Sequence, residues 1–155
     1  MQKKYISLGL MSGTSGDGVD ASLIRSNGTN DYESIKDKYF EYDNDIYKSY
    51  HNLKEKINFL KDLKKFKPEI IEPERKITIF HSKVIKDINV NNKDFLIGFH
   101  GQTIFHNSEE KISYQLGDSR LLFQLIGQKI IFNFRENDIL NGGQGAPLAP
   151  LFHQL

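Results

Sequence analysis

One segment near the start, Ser12-Gly13-Thr14-Ser15-Gly16-Asp17-Gly18, constrains the fold more than any other. Before it, Ile6, Leu8 and Leu10 alternate with smaller residues; after it, Val19, Ala21 and Leu23 do the same. Alternation of this kind is the period of a strand. Two strands around a glycine-rich loop make a hairpin. Asn27-Gly28 invites a second tight turn, and a third strand is expected across Tyr32 to Tyr42, so the chain should open as a three-stranded antiparallel meander.

Helical signals follow. Ile46, Tyr50, Leu53, Ile57 and Leu60 step by four and three residues, which is one apolar stripe, and Asp43 or Asn44 could cap it. Pro68 and Pro73 punctuate, and a second helix is expected from Ile77 to Ile88. Short buried strands are expected at Phe95 to Phe99 and Lys129 to Phe132 and a further short strand at Ser113 to Leu116, with a helix from Ser119 to Gly127. Antiparallel strands, then helices, then strands alternating with helices suggest a mixed α/β sheet with flanking helices. The chain closes on a glycine-rich loop and Pro147, which suits the first turn of a helix through Leu155. A domain rarely ends by opening a helix, so a truncated sequence is expected.

Bulk properties exclude several classes. The 155 residues suit one domain, and 38% hydrophobic with 26% charged residues is ordinary for a globular protein. A net charge of +1 gives no general attraction for nucleic acid or an anionic membrane. Seven lysines between Asn44 and Lys67 lie mostly off the apolar stripe and read as a solvated face. No apolar run reaches the roughly 18 residues that span a bilayer, and the opening MQKKYISLGLM is too short for a signal peptide. The absence of cysteine removes disulfides and thiolate zinc sites. A cytoplasmic location is the expectation.

Three polar, glycine-bearing segments, each expected to be a loop following a strand, could carry chemistry. In Gly13-Thr14-Ser15-Gly16-Asp17-Gly18-Val19-Asp20, glycines let peptide N–H groups crowd around an anion, and the hydroxyls add donors. Asp17, with Asp20, could orient the waters of a magnesium ion. The stretch from Gly16 to Ala21 fits a loose dinucleotide fingerprint, but that motif must open a helix, and here a strand follows. An ordinary hairpin turn remains the competing reading. Next, His100-Gly101-Gln102-Thr103-Ile104-Phe105-His106 follows a buried strand, where ligands of α/β sheets bind. Gln102 offers a donor and an acceptor suited to a sugar. The two histidines lack a cysteine or a helix-spaced acid, which argues against zinc. Last, Asn133-Phe134-Arg135 and Gly142-Gly143-Gln144-Gly145-Ala146-Pro147 lie past another strand. Arg135 could clamp an oxyanion, and the glycines could present N–H groups at a helix start.

Together these segments resemble the signatures of the anhydro-N-acetylmuramic acid kinases. The resemblance rests on Gly9-Leu10-Met11-Ser12-Gly13-Thr14-Ser15-x-Asp17-Gly18-Val19-Asp20, His100-Gly101-Gln102-Thr103-x-x-His106, Gln115-x-Gly117-Asp118, Phe134-Arg135-x-x-Asp138 and Gly142 to Leu148, in family order. It implies an actin-like lobe (sugar kinase, Hsp70-like and ribonuclease H-like), with residues 1–155 as the first of two lobes. It implies ATP and magnesium as cofactors and an amino sugar as substrate, with the anhydro ring opened by water and O6 phosphorylated. Gly13 to Asp20 would hold phosphate. His100, Gly101, Gln102, Thr103, Gln115, Gly142, Gly143 and Gln144 would lie along the sugar, and Asn133 and Arg135 at the reacting centre. The full-length protein could form a homodimer, and residues 1–155 alone are expected to be inactive.

Two positions depart from the family pattern. Asn133 stands where the family's aspartate, its proposed general base, is expected, and an amide cannot accept a proton from water. Another carboxylate such as Asp138 serves instead, or the protein is slow, or it is a silent sugar- or nucleotide-binding module. A different actin-like sugar kinase is the rival within the same class. Gly16 stands where a larger residue is usual, which is expected to loosen the hairpin.

Overall fold

The computed structural model describes residues 3–88, 90 and 94–148. Its centre is a five-stranded sheet. Strands β1 (Tyr5–Met11), β2 (Gly18–Ser26) and β3 (Tyr32–Glu41) form the expected antiparallel meander. After β3 come helices α1 (Asn44–Lys56), α2 (Leu60–Lys65) and α3 (Lys67–Ile88). Then β4 (Leu96–Phe99) pairs parallel with β1. A separate antiparallel ribbon follows, β5 (Gln102–Asn107) and β6 (Ile112–Leu116). Helix α4 (Ser119–Ile126), strand β7 (Lys129–Ile131), parallel to β4, and helix α5 (Phe134–Leu140) complete the described order. The main sheet therefore runs β3-β2-β1-β4-β7.

Alternation along the central strands decides what covers each face. Leu8, Leu10, Ile97 and Phe99 are buried on one face, where α3 packs and His81 meets the Phe99 ring edge-on. The opposite face carries the row Ser22, Gly9, Gly98 and Ile131 across four strands. The Phe134 ring lies over Gly98 there, with van der Waals room for nothing larger than a methyl.

Local chemistry sets the helix ends. Asp43 caps α1 by accepting from the Ile46 N–H at 2.9 Å. The apolar stripe expected to continue through Leu60 breaks at Ile57, which ends α1 in an extended conformation. Asp62 then accepts from the Asn58 and Phe59 N–H groups and starts α2. The expected break at Pro73 does not occur. Helix α3 runs from Lys67 through Pro73, which is buried. Pro68 sits in the first turn, where a missing N–H is harmless, and burial of Ile70, Ile77, Val84, Ile85 and Ile88 outweighs the one bond lost at Pro73.

Two further expectations need correction. The segment from Gln102 is a strand, not a loop, and a helix stands at Phe134 to Leu140 where only loop was expected. Pro147 and Leu148 are not helical; the helix expected beyond them lies outside the described residues.

Candidate functional site

Strands β1, β4 and β7 are parallel, so their carboxyl ends share one edge of the sheet. That edge gathers the hairpin loop after Met11, His100 after Phe99, and Asn133 just past Ile131. Three segments far apart in sequence thus meet where open α/β sheets bind ligands.

The hairpin loop is held from beneath. Its Gly13 carbonyl accepts from Gln102 Nε2 at 2.7 Å, and its Thr14 carbonyl accepts from Lys54 Nζ at 2.6 Å and Tyr50 Oη at 3.4 Å. In a trans peptide the N–H points opposite to the C=O. Tying these two carbonyls inward therefore turns the N–H groups of Thr14 and Ser15 outward, the arrangement that cradles an anion. The Tyr50 ring is the floor. Gly16 has φ +68, and a Cβ on it would fall 2.0 Å from Tyr50 Cε1. Gly16 thus does not loosen the hairpin as expected; it lets the ring close against the loop. Asp17 Oδ1 accepts from Ser15 Oγ at 2.7 Å, and both Asp17 and Asp20 are exposed. Their negative field, with that of Glu41, adds to desolvation in raising the Tyr39 hydroxyl above its ordinary pKa.

Gln102 is fully buried. Its Oε1 accepts from Tyr42 Oη at 3.3 Å, and Ser12 Oγ lies 3.3 Å from both Tyr42 Oη and His81 Nε2. His81 Nδ1 donates to the Ile77 carbonyl at 2.8 Å, so Nε2 is left to accept from Ser12. Burial pushes the His81 pKa down to about 4, which keeps the ring neutral, and burial raises that of Tyr42. Both ends of the Gln102 amide are thus engaged inside the protein, under the loop rather than along an open cleft. Thr103 is buried beside it: its carbonyl accepts from Tyr50 Oη at 2.9 Å, and its hydroxyl has no partner. Gly101 has φ +72, and a Cβ there would meet the Leu116 carbonyl at 2.5 Å. It lets the chain enter β5 pressed against the end of β6.

Next to this latch is a cavity of about 320 Å³, lined by His100, Gln115, Asn133, Glu74 and Glu136 among others. His100 Nδ1 donates to the Gly101 carbonyl at 2.9 Å. Desolvation, and then the nearby Arg135 charge, hold its pKa below the usual value. Gln115 is steadied by Nε2 donating to Ser113 Oγ at 2.6 Å. Burial raises the pKa of Glu74, opposed by a bond from the Gly117 N–H and reinforced by Asp118. Asn133, left-handed at φ 59, donates from Nδ2 to Glu136 Oε2 at 2.6 Å. Arg135 is half-buried, and desolvation lowers its pKa.

The Gly142 to Gly145 segment behaves differently from expectation. The Gly143 N–H bonds the Asp138 carbonyl, and the Gly145 N–H bonds Asp138 Oδ2, each at 2.8 Å. These donors are taken up by Asp138 rather than presented to a ligand, and Gly142, Gly143 and Gln144 do not line the cavity. Asp138 is itself committed to that loop. Sequence reading missed Glu74, Glu136, Tyr50 and Lys54. Lys54 is one of the lysines assigned to a solvated face, and it is half-buried against Thr14. Helical spacing from Tyr50 could have flagged it.

The family model described as anhydro-N-acetylmuramic acid kinase matches residues 4–155. This chain belongs to the anhydro-N-acetylmuramic acid kinase family. It is 60% identical to a protein of that name from Pelagibacter ubique, over 100% of this chain and 42% of the relative. Similar kinases from Gluconobacter oxydans and Agrobacterium fabrum are 37% and 34% identical over 94% of this chain, each covered over 40% of its own length. The chain thus spans about two-fifths of the relatives it matches. Kinases of this family have the sugar kinase and actin-like ATPase fold, which the mixed five-stranded sheet with flanking helices matches.

Proposed function

We propose that these residues form the first lobe of a kinase that opens the ring of 1,6-anhydro-N-acetylmuramic acid with water and phosphorylates its O6 with ATP. The product is N-acetylmuramic acid 6-phosphate, an intermediate of bacterial cell-wall recycling. The observation that carries this reading is the convergence of the outward-facing hairpin and the His100–Gln115–Asn133 cavity on one sheet edge. Phosphoryl transfer needs positioning and charge stabilisation more than covalent chemistry, and both are provided for. The Thr14 and Ser15 N–H groups would hold terminal phosphate oxygens, and the Lys54 ammonium adds positive charge behind them. His100 and Gln115 would bond the sugar. Arg135, half-buried and within reach of the His100 field, would meet the transferring phosphoryl group.

The donor set fits magnesium held through water. Among the described residues no group of three or more His, Asp or Glu could cage a metal, so Asp17 and Asp20 would bond the waters of an ion carried in on the phosphates. Bound there, it would neutralise charge developing on the phosphoryl oxygens. Among the described residues no helix is long and apolar enough to cross a membrane. A cytoplasmic enzyme, with a homodimer for the full-length protein and no nucleic-acid partner, fits the small-molecule substrate.

The test is ADP release by the full-length protein with ATP, magnesium and the anhydro sugar. Release should require the sugar, and Arg135→Ala should slow it by about 10²-fold or more, as loss of a transition-state charge does. Release that ignores the sugar would contradict the reading.

A further inference from the structure

The proposed reaction needs a group that accepts a proton from the attacking water, and Asn133 cannot be that group. We propose that Glu136 is the catalytic base, with Asn133 as its positioning partner; this rests on the reaction proposed above. The two residues are three apart at the start of α5, a spacing that brings side chains together on one face of a helical turn. Asn133 Nδ2 donates to Glu136 Oε2 at 2.6 Å, and both residues line the cavity with His100 and Gln115. An amide N–H can be taken up only by an acceptor, so Oε2 of Glu136 is the acceptor of this contact and Oε1 is left to face the cavity's contents. With its N–H engaged, Asn133 has Oδ1 left to accept one hydrogen of a water. The Glu136 carboxylate can accept the other. The pair thus does in two residues what a single carboxylate would do in one.

The other acids are less suited. Glu74, which also lines the cavity, is half-buried, its pKa is raised by that burial, and it already accepts the Gly117 N–H at 3.3 Å. It is better fitted to bond a sugar hydroxyl. Asp138 is committed to the Gly145 N–H and lies outside the cavity lining. In the step itself, the water oxygen bonds to C1 of the sugar and its proton passes to Glu136. The C1–O6 bond breaks, and its electron pair stays on O6. That oxygen bonds to the γ-phosphorus of ATP as the bond to the bridging oxygen breaks, releasing ADP. Glu136 then returns the proton to solvent.

The experiment compares full-length wild type, Glu136→Gln and Glu136→Gln with Asn133→Asp. Glu136→Gln should lower kcat by about 10²–10⁴-fold, the usual effect of a lost general base, while sugar affinity measured by calorimetry stays within about threefold. Adding Asn133→Asp, which puts a carboxylate back at the neighbouring position, should recover much of the loss. A purely structural role for Glu136 would not be rescued in this way. Full activity in Glu136→Gln, or no recovery in the double variant, would overturn the assignment while leaving the reaction standing. Absence of turnover in the wild type would overturn the reaction itself, and the base with it.

Discussion

Gln102 illustrates how a signature residue can brace a candidate site from within the core. It links the Gly13 carbonyl to Tyr42, which packs beside the Ser12–His81 pair. Gln102→Ala would strand buried polar groups and should cost about 1–3 kcal/mol in unfolding free energy. In the full-length enzyme the KM for ATP should rise while that for the sugar changes little; the reverse would return Gln102 to the sugar site. Gly16→Ala forces a methyl into the Tyr50 ring at a left-handed position, and unfolding experiments should show a loss of about 2 kcal/mol or more. His81 gives a pH signature. Its folded pKa of about 4 lies below the ordinary 6.5, so between these values the unfolded state binds the extra proton. The stability this supplies is complete above pH 6.5 and falls as the pH drops toward 4, by about 3 kcal/mol at most. In His81→Asn, the slope of unfolding free energy over that window should flatten, as urea titrations at several pH values would show.

At the scale of elements, caps and ties matter more than propensity. Asp118 accepts from the Arg120 and Leu121 N–H groups at 2.9 and 3.0 Å, and its own N–H bonds Thr78 Oγ1. This acid of the Gln115-x-Gly117-Asp118 signature is a helix cap. Asp118→Ala should lower stability by about 1 kcal/mol and Asp118→Ser should restore most of it, which thermal unfolding can check. The meander, α1 with its Asp43 cap, α4 and the three parallel strands were all legible, because local period and turn residues specify them. Strand β3 was faint for a physical reason: it is an edge strand exposed along nearly its whole length, so no buried face imposes alternation. The first half of helix α3 hid behind Pro73, whose cost is outweighed only by tertiary packing, while the expected Ile77 to Ile88 stretch is its second half. Helix α5 is short and polar, and the Glu136 contact depends on its turn, so the carboxylate could not be located from residue types alone. Lys54 and Tyr50 read as surface and core, since their bonds to Thr14 span 40 and 36 residues.

For the molecule as a whole, the parallel arrangement of β1, β4 and β7 is what makes a site: it delivers hairpin, His100 and Asn133 to one edge. The outer sheet face is thinly covered, with Met11 and Ile131 about half-exposed, and at the end of α5 Leu140 is 78% exposed. The chain expressed at this length should therefore associate as concentration rises, seen by light scattering. Whether this edge performs the proposed chemistry is settled by identifying the product. Full-length protein, ATP, magnesium and 1,6-anhydro-N-acetylmuramic acid should yield a reducing sugar phosphorylated on O6, one molecule per ADP, by mass spectrometry and phosphorus NMR. An intact anhydro ring, or ADP formed without sugar phosphate, would contradict the account.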